Sequence, residues 1–324
     1  LPNMSAYNET CAAIANVYWN FRMFELHGQS KYIDVLERSL YNNVLSGVSL
    51  DGKSFFYPNP LSADGTYGRD EWFDCSCCPT NLCRFIPSVT SYIYAQKEKN
   101  IYVNLFICSN AKIKFEEKQN VEISQKSNYP WDGNIELYIN PKQSQKFSVR
   151  LRIPGWAQNK PVPSDLYSYI HATLPTYKLL VNGQKFEAIE ENGYLIIDRK
   201  WKKGDKINYE IPMEIKRTIA SEKVEADKGL ISIERGPLLY CLESVDNDFD
   251  VNQLIIPDNS NFNLFFDKNK LSGINVIQGE GIVLKPSKDN LSFVTEKKVF
   301  TAIPYNVWDN REKAKMRVWL PRTV

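Results

Sequence analysis

Near residue 100 the hydrophobic pattern of this chain changes its period, and a single sheet or a single bundle cannot satisfy both parts. Before that point apolar residues recur at helical spacing, as in Tyr32, Ile33, Leu36, Leu40 and Val44, with Asp34, Glu37 and Arg38 on the other side. After it they alternate, as in KFSVRLRIP, where Phe147, Val149, Leu151 and Ile153 are separated by Ser148, Arg150 and Arg152. The chain is therefore mixed α and β, with its helices first.

The helical part reads as three segments. NETCAAIANVYWNFRMFELH, residues 8–27, has no breaker and is apolar around most of its circumference, which predicts a largely buried helix capped by Asn8 and stopped by Gly28. Ser30 can cap a second helix to about Leu45, and Pro79 can begin a third that runs to about Ala95 with a kink at Pro87. Short strands follow at YVNLFIC, AKIKFEE, NVEISQK, IELYIN, KLLVN, GYLIID, KINYEIP and LISIERG, separated by turn pairs such as Asn182-Gly183 and Asn192-Gly193. That rhythm predicts antiparallel β-sandwiches. Residues 218–298 read as an inserted second sandwich, because the tail KMRVWLP returns to the style of the first; the plan is residues 1–98 helical, 99–217 plus 299–324 one sandwich, and 218–298 the other.

Composition narrows the function classes. With 324 residues, 43% of them hydrophobic, the chain can build more than one core. A net charge of +2 and the lack of a basic run argue against nucleic acid as a partner. No stretch approaches the length of a membrane helix, and LPNMSAYNETC holds no basic region followed by an apolar core. That opening, without an initiator Met and close to a helix, reads as a chain entered partway. Seven cysteines, an odd number in a chain of this size, argue against a full disulfide framework.

Three of those cysteines crowd into EWFDCSCCPTN, at Cys75, Cys77 and Cys78, just before the third helix. Together with Glu9 and Cys11 at the start of the first helix, Cys77 and Cys78 make a donor set that suits zinc. Spacing alone leaves three readings open: a metal site, buried inert thiols, or a strained vicinal disulfide. A cysteine ahead of a helix also faces unpaired N–H groups, which favour its thiolate. Cys83, Cys108 and Cys241 lie in apolar patterns and read as buried small hydrophobes, and Cys75 can support the site or pair with another thiol. His27 and His171 have no spaced partner and read as structural; Glu71 reads as a solvated loop acid. Tyr57, in FFYPNPL, can pack or contact a ligand through its ring and hydroxyl.

In order along the chain, NETCAAIANVYWNFRMF, VSLDGKSFFYPNPL, EWFDCSCCPTN, RIPGWA, WKKGDKINYEIPMEI, SIERGPLLYCLE and IPYNVWDN resemble the β-L-arabinofuranosidases of glycoside hydrolase family 127. The resemblance runs nearly end to end. It implies the C-terminal part of an (α/α)6 barrel followed by β-sandwich (jelly-roll-like) domains, with zinc held by Glu9, Cys11, Cys77 and Cys78. It further implies Cys77 as the nucleophile of a retaining hydrolase, Tyr57 in the sugar pocket, and a plant-derived oligosaccharide or glycan as substrate. Family members carry their acid/base glutamate upstream of the E-x-C motif, so no residue here takes that role. The missing wall would come from the other half of the barrel or from a second copy of the chain, and analogy with glycan-degrading enzymes favours a periplasmic location. Three other readings stand beside this one: a non-catalytic carbohydrate-binding protein, a purely structural zinc site, and a thiol redox role.

Overall fold

The computed structural model describes residues 2–115, 120–172, 176–287, 289 and 292–323. Helix α1 spans Thr10–His27 and ends at Gly28 in the left-handed conformation, φ 65°, where its N–H reaches back to Phe24 O. Its N-cap is Glu9, one residue later than the expected Asn8. Helix α2, Ser30–Arg38, continues into a π-helical turn at Ser39–Val44, so the expected single helix is interrupted where Asn42 turns inward. Helix α3 spans Cys77–Phe85. It begins ahead of Pro79 and gives way to a 3₁₀ segment, Ile86–Tyr92, instead of continuing to Ala95; Pro87 has no N–H to extend the α ladder. Ile14, Val17, Ile33, Leu36, Val44, Leu82 and Phe85 are buried together between these helices.

The next unit holds two sheets. One orders its strands 184–185, 178–181, 205–210, 134–141, 120–127 and 109–114; the other orders 189–191, 194–201, 145–152, 100–103 and 94–97. Alternate residues of both, among them Ile123, Leu137, Ile207, Val149, Leu151 and Ile197, meet in one apolar core, as the period of two requires. Pairing is not wholly antiparallel, since 100–103 runs parallel to 145–152. The strand expected over AKIKFEE covers 109–114, and Glu116 and Glu117 lie outside the described residues.

The last unit departs from the expected sandwich. Strands 230–235, 238–243, 293–304, 274–286, 254–257 and 320–323 pair in that order, and 320–323 pairs back to 230–235, so six strands close a ring. Residues 293–304 and 320–323 thus belong to the same ring as 230–243, and the tail does not return to the first sandwich as its sequence style suggested. The physical reason is that both units share one alternating pattern, which fixes which face a residue occupies but leaves its partner strand open.

Buried polar contacts bind the helices to both units. Arg152, fully buried, donates to Asp34 Oδ1 at 2.6 Å and pairs with Glu37. Arg38 donates to both carboxylate oxygens of Glu234, at 2.9 and 2.6 Å. Asn42 accepts from Leu239 N and donates to Pro237 O. Among the described residues no helix is long and apolar enough to cross a membrane.

Candidate functional site

The site forms where two helix beginnings meet one loop. Glu9 caps α1 in an extended conformation, φ −66° and ψ 138°, and its side chain makes no capping bond. Its carboxylate instead turns toward α3, with Oε1 3.6 Å from Cys77 Sγ and 3.8 Å from Cys78 Sγ. Residues 56–59 are stapled to the same helix start: Thr10 N donates to Tyr57 O at 3.0 Å, Thr10 Oγ1 to Phe56 O at 2.8 Å, and Asn59 Nδ2 to Thr10 Oγ1 at 2.9 Å. Gly47 makes room for this. A Cβ there would stand 2.6 Å from Thr10 Cγ2. Beneath the loop, Phe56 stacks on Trp308 at 4.8 Å between centroids, and the buried Arg69 guanidinium sits 4.2 Å from its ring.

Cys77 and Cys78 are the first residues of α3, where N–H groups have no intrahelical acceptor. Their sulfurs lie 3.8 Å apart without an S–S bond, and all seven cysteines are free thiols. The Tyr57 hydroxyl lies 3.4 Å from Cys77 Sγ. A phenol donating to sulfur favours the thiolate, and this contact is the main cause that lowers the Cys77 pKa and raises that of Tyr57. Burial acts the other way on its neighbours, pushing the Cys78 thiol well up and the Cys11 thiol up, the latter opposed by a hydrogen bond to Asn81. Of the adjacent pair, Cys77 is partly exposed and Cys78 is buried.

The donor atoms of Glu9, Cys11, Cys77 and Cys78 all lie within 4.8 Å of one another. A tetrahedral zinc ion with bonds of about 2.3 Å to sulfur and about 2.0 Å to oxygen sets S···S edges of about 3.8 Å and S···O edges of about 3.5 Å. The observed separations of 3.8 Å between sulfurs and 3.6 and 3.8 Å from sulfur to oxygen match those edges. The four residues could therefore hold a metal ion.

Five sequence candidates, Glu9, Cys11, Tyr57, Cys77 and Cys78, therefore come together. The others do not. His27 stacks on Tyr32 at the far end of α1, and Glu71, Cys75 and His171 are exposed. Cys241 is buried as expected, whereas Cys83 is exposed on the outer side of α3 and Cys108 is exposed in the connection just before strand 109–114. Sequence reading missed Asn81, whose place one helical turn after Cys77 was a usable signal. It also missed Phe73, which meets Tyr57 edge to face at 5.5 Å and carried no periodic mark.

Comparison with known proteins adds three successive matches. The β-L-arabinofuranosidase GH127 catalytic domain matches residues 1–91, the GH127 middle domain residues 100–213, and the glycoside hydrolase family 127 C-terminal domain residues 215–321. A non-reducing end β-L-arabinofuranosidase of Bifidobacterium longum subsp. longum is 32% identical, over 99% of this chain and 50% of that protein. The solved structure of a GH127 β-arabinofuranosidase is 47% identical with a TM-score of 0.96, over 100% of this chain and 50% of the other. That of a GH127 β-L-arabinofuranosidase from Geobacillus stearothermophilus T6 is 36% identical with a TM-score of 0.90, over 100% of this chain and 51% of the other. The chain spans about half the length of the relatives it matches.

Proposed function

Since the chain belongs to glycoside hydrolase family 127, we propose that it supplies the nucleophile and metal ligands of a retaining hydrolase that releases β-L-arabinofuranose from the non-reducing ends of plant-derived glycans. The observation that carries this reading is the set of donor separations, with Cys77 as its partly exposed sulfur. Zinc held by Glu9, Cys11, Cys77 and Cys78 would keep the sulfurs ionised at neutral pH. Cys77 Sγ attacks the anomeric carbon, a C–S bond forming as the glycosidic C–O bond breaks, and the leaving oxygen takes a proton from a general acid. Water then attacks the same carbon while giving its proton to the now deprotonated acid, the C–S bond breaks, and Cys77 recovers its thiolate. The Tyr57 hydroxyl, 3.4 Å from the sulfur, donates to it whenever it carries charge. No described residue is assigned the acid/base role. We read α1 to α3 as part of an (α/α)6 barrel, and the exposed apolar side chains of α1, Trp19 at 67% and Leu26 at 75%, support a further packing surface there.

The test is hydrolysis of a synthetic β-L-arabinofuranoside by the native protein, with mass spectrometry of the Cys77 peptide after rapid acid quenching. Cys77→Ser is expected to lower kcat/KM by at least roughly 10³-fold with an unchanged far-UV spectrum, and the native peptide is expected to carry one pentose. Retained activity in the variant overturns the nucleophile. Unfolding of the variant, with no pentose on the native peptide, would instead favour a structural metal site.

A further inference from the structure

Beside the thiols lies an aromatic ring that the proposed chemistry does not use. Tyr7 is 64% exposed, yet its ring centroid is 5.9 Å from that of Tyr57 and tilted 53° to it. From Tyr7 and Pro58 a cleft of about 290 Å³ runs past Met4 and Pro60 to Asp64 and Thr66. Its floor is tied to the site, because Pro58 forms a β-bridge with Glu9 and the next residue, Asn59, donates to Asn8 O. Its volume is near the lower end of the roughly 300–1,000 Å³ of small-molecule sites. Such a space suits a sugar residue and no large partner.

The chemistry of the walls matches the same ligand. Tyrosine and proline rings present flat faces to the C–H side of a sugar, while the exposed Asp64 carboxylate, steadied by Thr66 N at 2.9 Å and Thr66 Oγ1 at 2.7 Å, offers an acceptor for hydroxyls. A larger cavity of about 740 Å³ lies at the other end of α1, lined by Phe21, His27 and Tyr102. Eighteen helical residues separate the two ends, about 25 Å at 1.5 Å per residue, so that cavity cannot hold the adjoining residue of one substrate.

We propose that the Tyr7 cleft is the leaving-group subsite, binding the sugar residue to which the released arabinofuranose is joined. This rests on the glycosidase reading, because in a hydrolase acting at non-reducing ends everything beyond the cleaved residue lies on the leaving-group side. Tyr7 is then the specificity residue that separates oligosaccharides from simple glycosides.

The experiment compares kcat/KM of the native protein, Tyr7→Ala and Tyr7→Phe on an arabinofuranose disaccharide and on the methyl β-L-arabinofuranoside. The loss in Tyr7→Ala is expected to be roughly tenfold or more greater on the disaccharide than on the methyl glycoside, as burial of an aromatic face predicts. Tyr7→Phe, which keeps the ring, should restore most of that difference. Equal losses on both substrates, or none, overturn the subsite. Calorimetric titration of the disaccharide into the same three proteins decides the matter independently of turnover. Weaker binding to Tyr7→Ala supports the cleft even if neither substrate is hydrolysed, which would sink the glycosidase reading alone; equal binding overturns the cleft.

Discussion

Two adjacent cysteines with opposite tendencies mark this site. Cys77 and Cys78 share a helix start, but the first meets the Tyr57 hydroxyl and the second is buried, so their pKa values move in opposite directions. The sign gives a prediction for metal-free protein. Removing a donor from the thiolate raises the pKa, so Tyr57→Phe is expected to move the pH profile of Cys77 alkylation by iodoacetamide to higher pH, with Cys78 still reacting later than Cys77. Peptide mapping after timed labelling reads both, and an unmoved Cys77 profile would remove the hydrogen bond from the account. Spacing of the cysteines and Glu9 left a metal site, inert thiols and a disulfide open, and the family resemblance supplied the roles of the five candidates, which the structure brings together. The framework that holds them was not legible in sequence. Thr10, Gly47 and Asn59 are ordinary residues whose roles arise from a single close approach, and no local pattern announces which loop will press on which helix.

At the scale of elements, the helices are fixed to the sheets by charges taken out of water. Arg152 is completely buried with Glu37 nearly so, and Tyr129 donates to the same carboxylate at 2.8 Å. Arg152→Leu leaves two acids without their cation and is expected to cost about 3–5 kcal/mol, measured by urea unfolding. The double variant Arg152→Leu, Glu37→Leu should recover part of that loss, since it removes the more deeply buried of the two uncompensated charges; no recovery would mean that the cost lies in packing or at Asp34. Helix existence was legible from the spacing of Ile33, Leu36 and Leu40, and Gly28 marked the end of α1, whereas the breaks after Arg38 and Phe85 were not legible. The π-helical turn follows from Asn42 reaching the backbone at Leu239, nearly two hundred residues away, and such a tertiary pull leaves no mark in a propensity reading.

For the whole molecule, the proposed metal ties segments that the chain keeps far apart, the start of α1 and the start of α3. Chelation by EDTA is therefore expected to speed amide hydrogen exchange around residues 9–11, 57–59 and 76–81, while the strands of the closed ring keep their protection. Uniform loss of protection would show that the helical part and the sheets open as one. The two β units illustrate the limit of sequence reading at this scale. Alternation in LISIERG and KMRVWLP identified strands, but the partners of 320–323 are set by a parallel pairing at Ile256 and Arg322 and an antiparallel one at Ile231 and Leu320, which alternation does not encode.

That last pairing also bears on how the protein is made. Residues 320–323 sit between 254–257 and 230–235, yet the ribosome delivers them after every other strand of the ring. Until they emerge, the nascent chain carries two unpaired strand edges facing each other across a gap, the kind of surface that recruits foreign strands. The ring can therefore shut only once residues 320–323 have been made, and until then the growing chain exposes both edges.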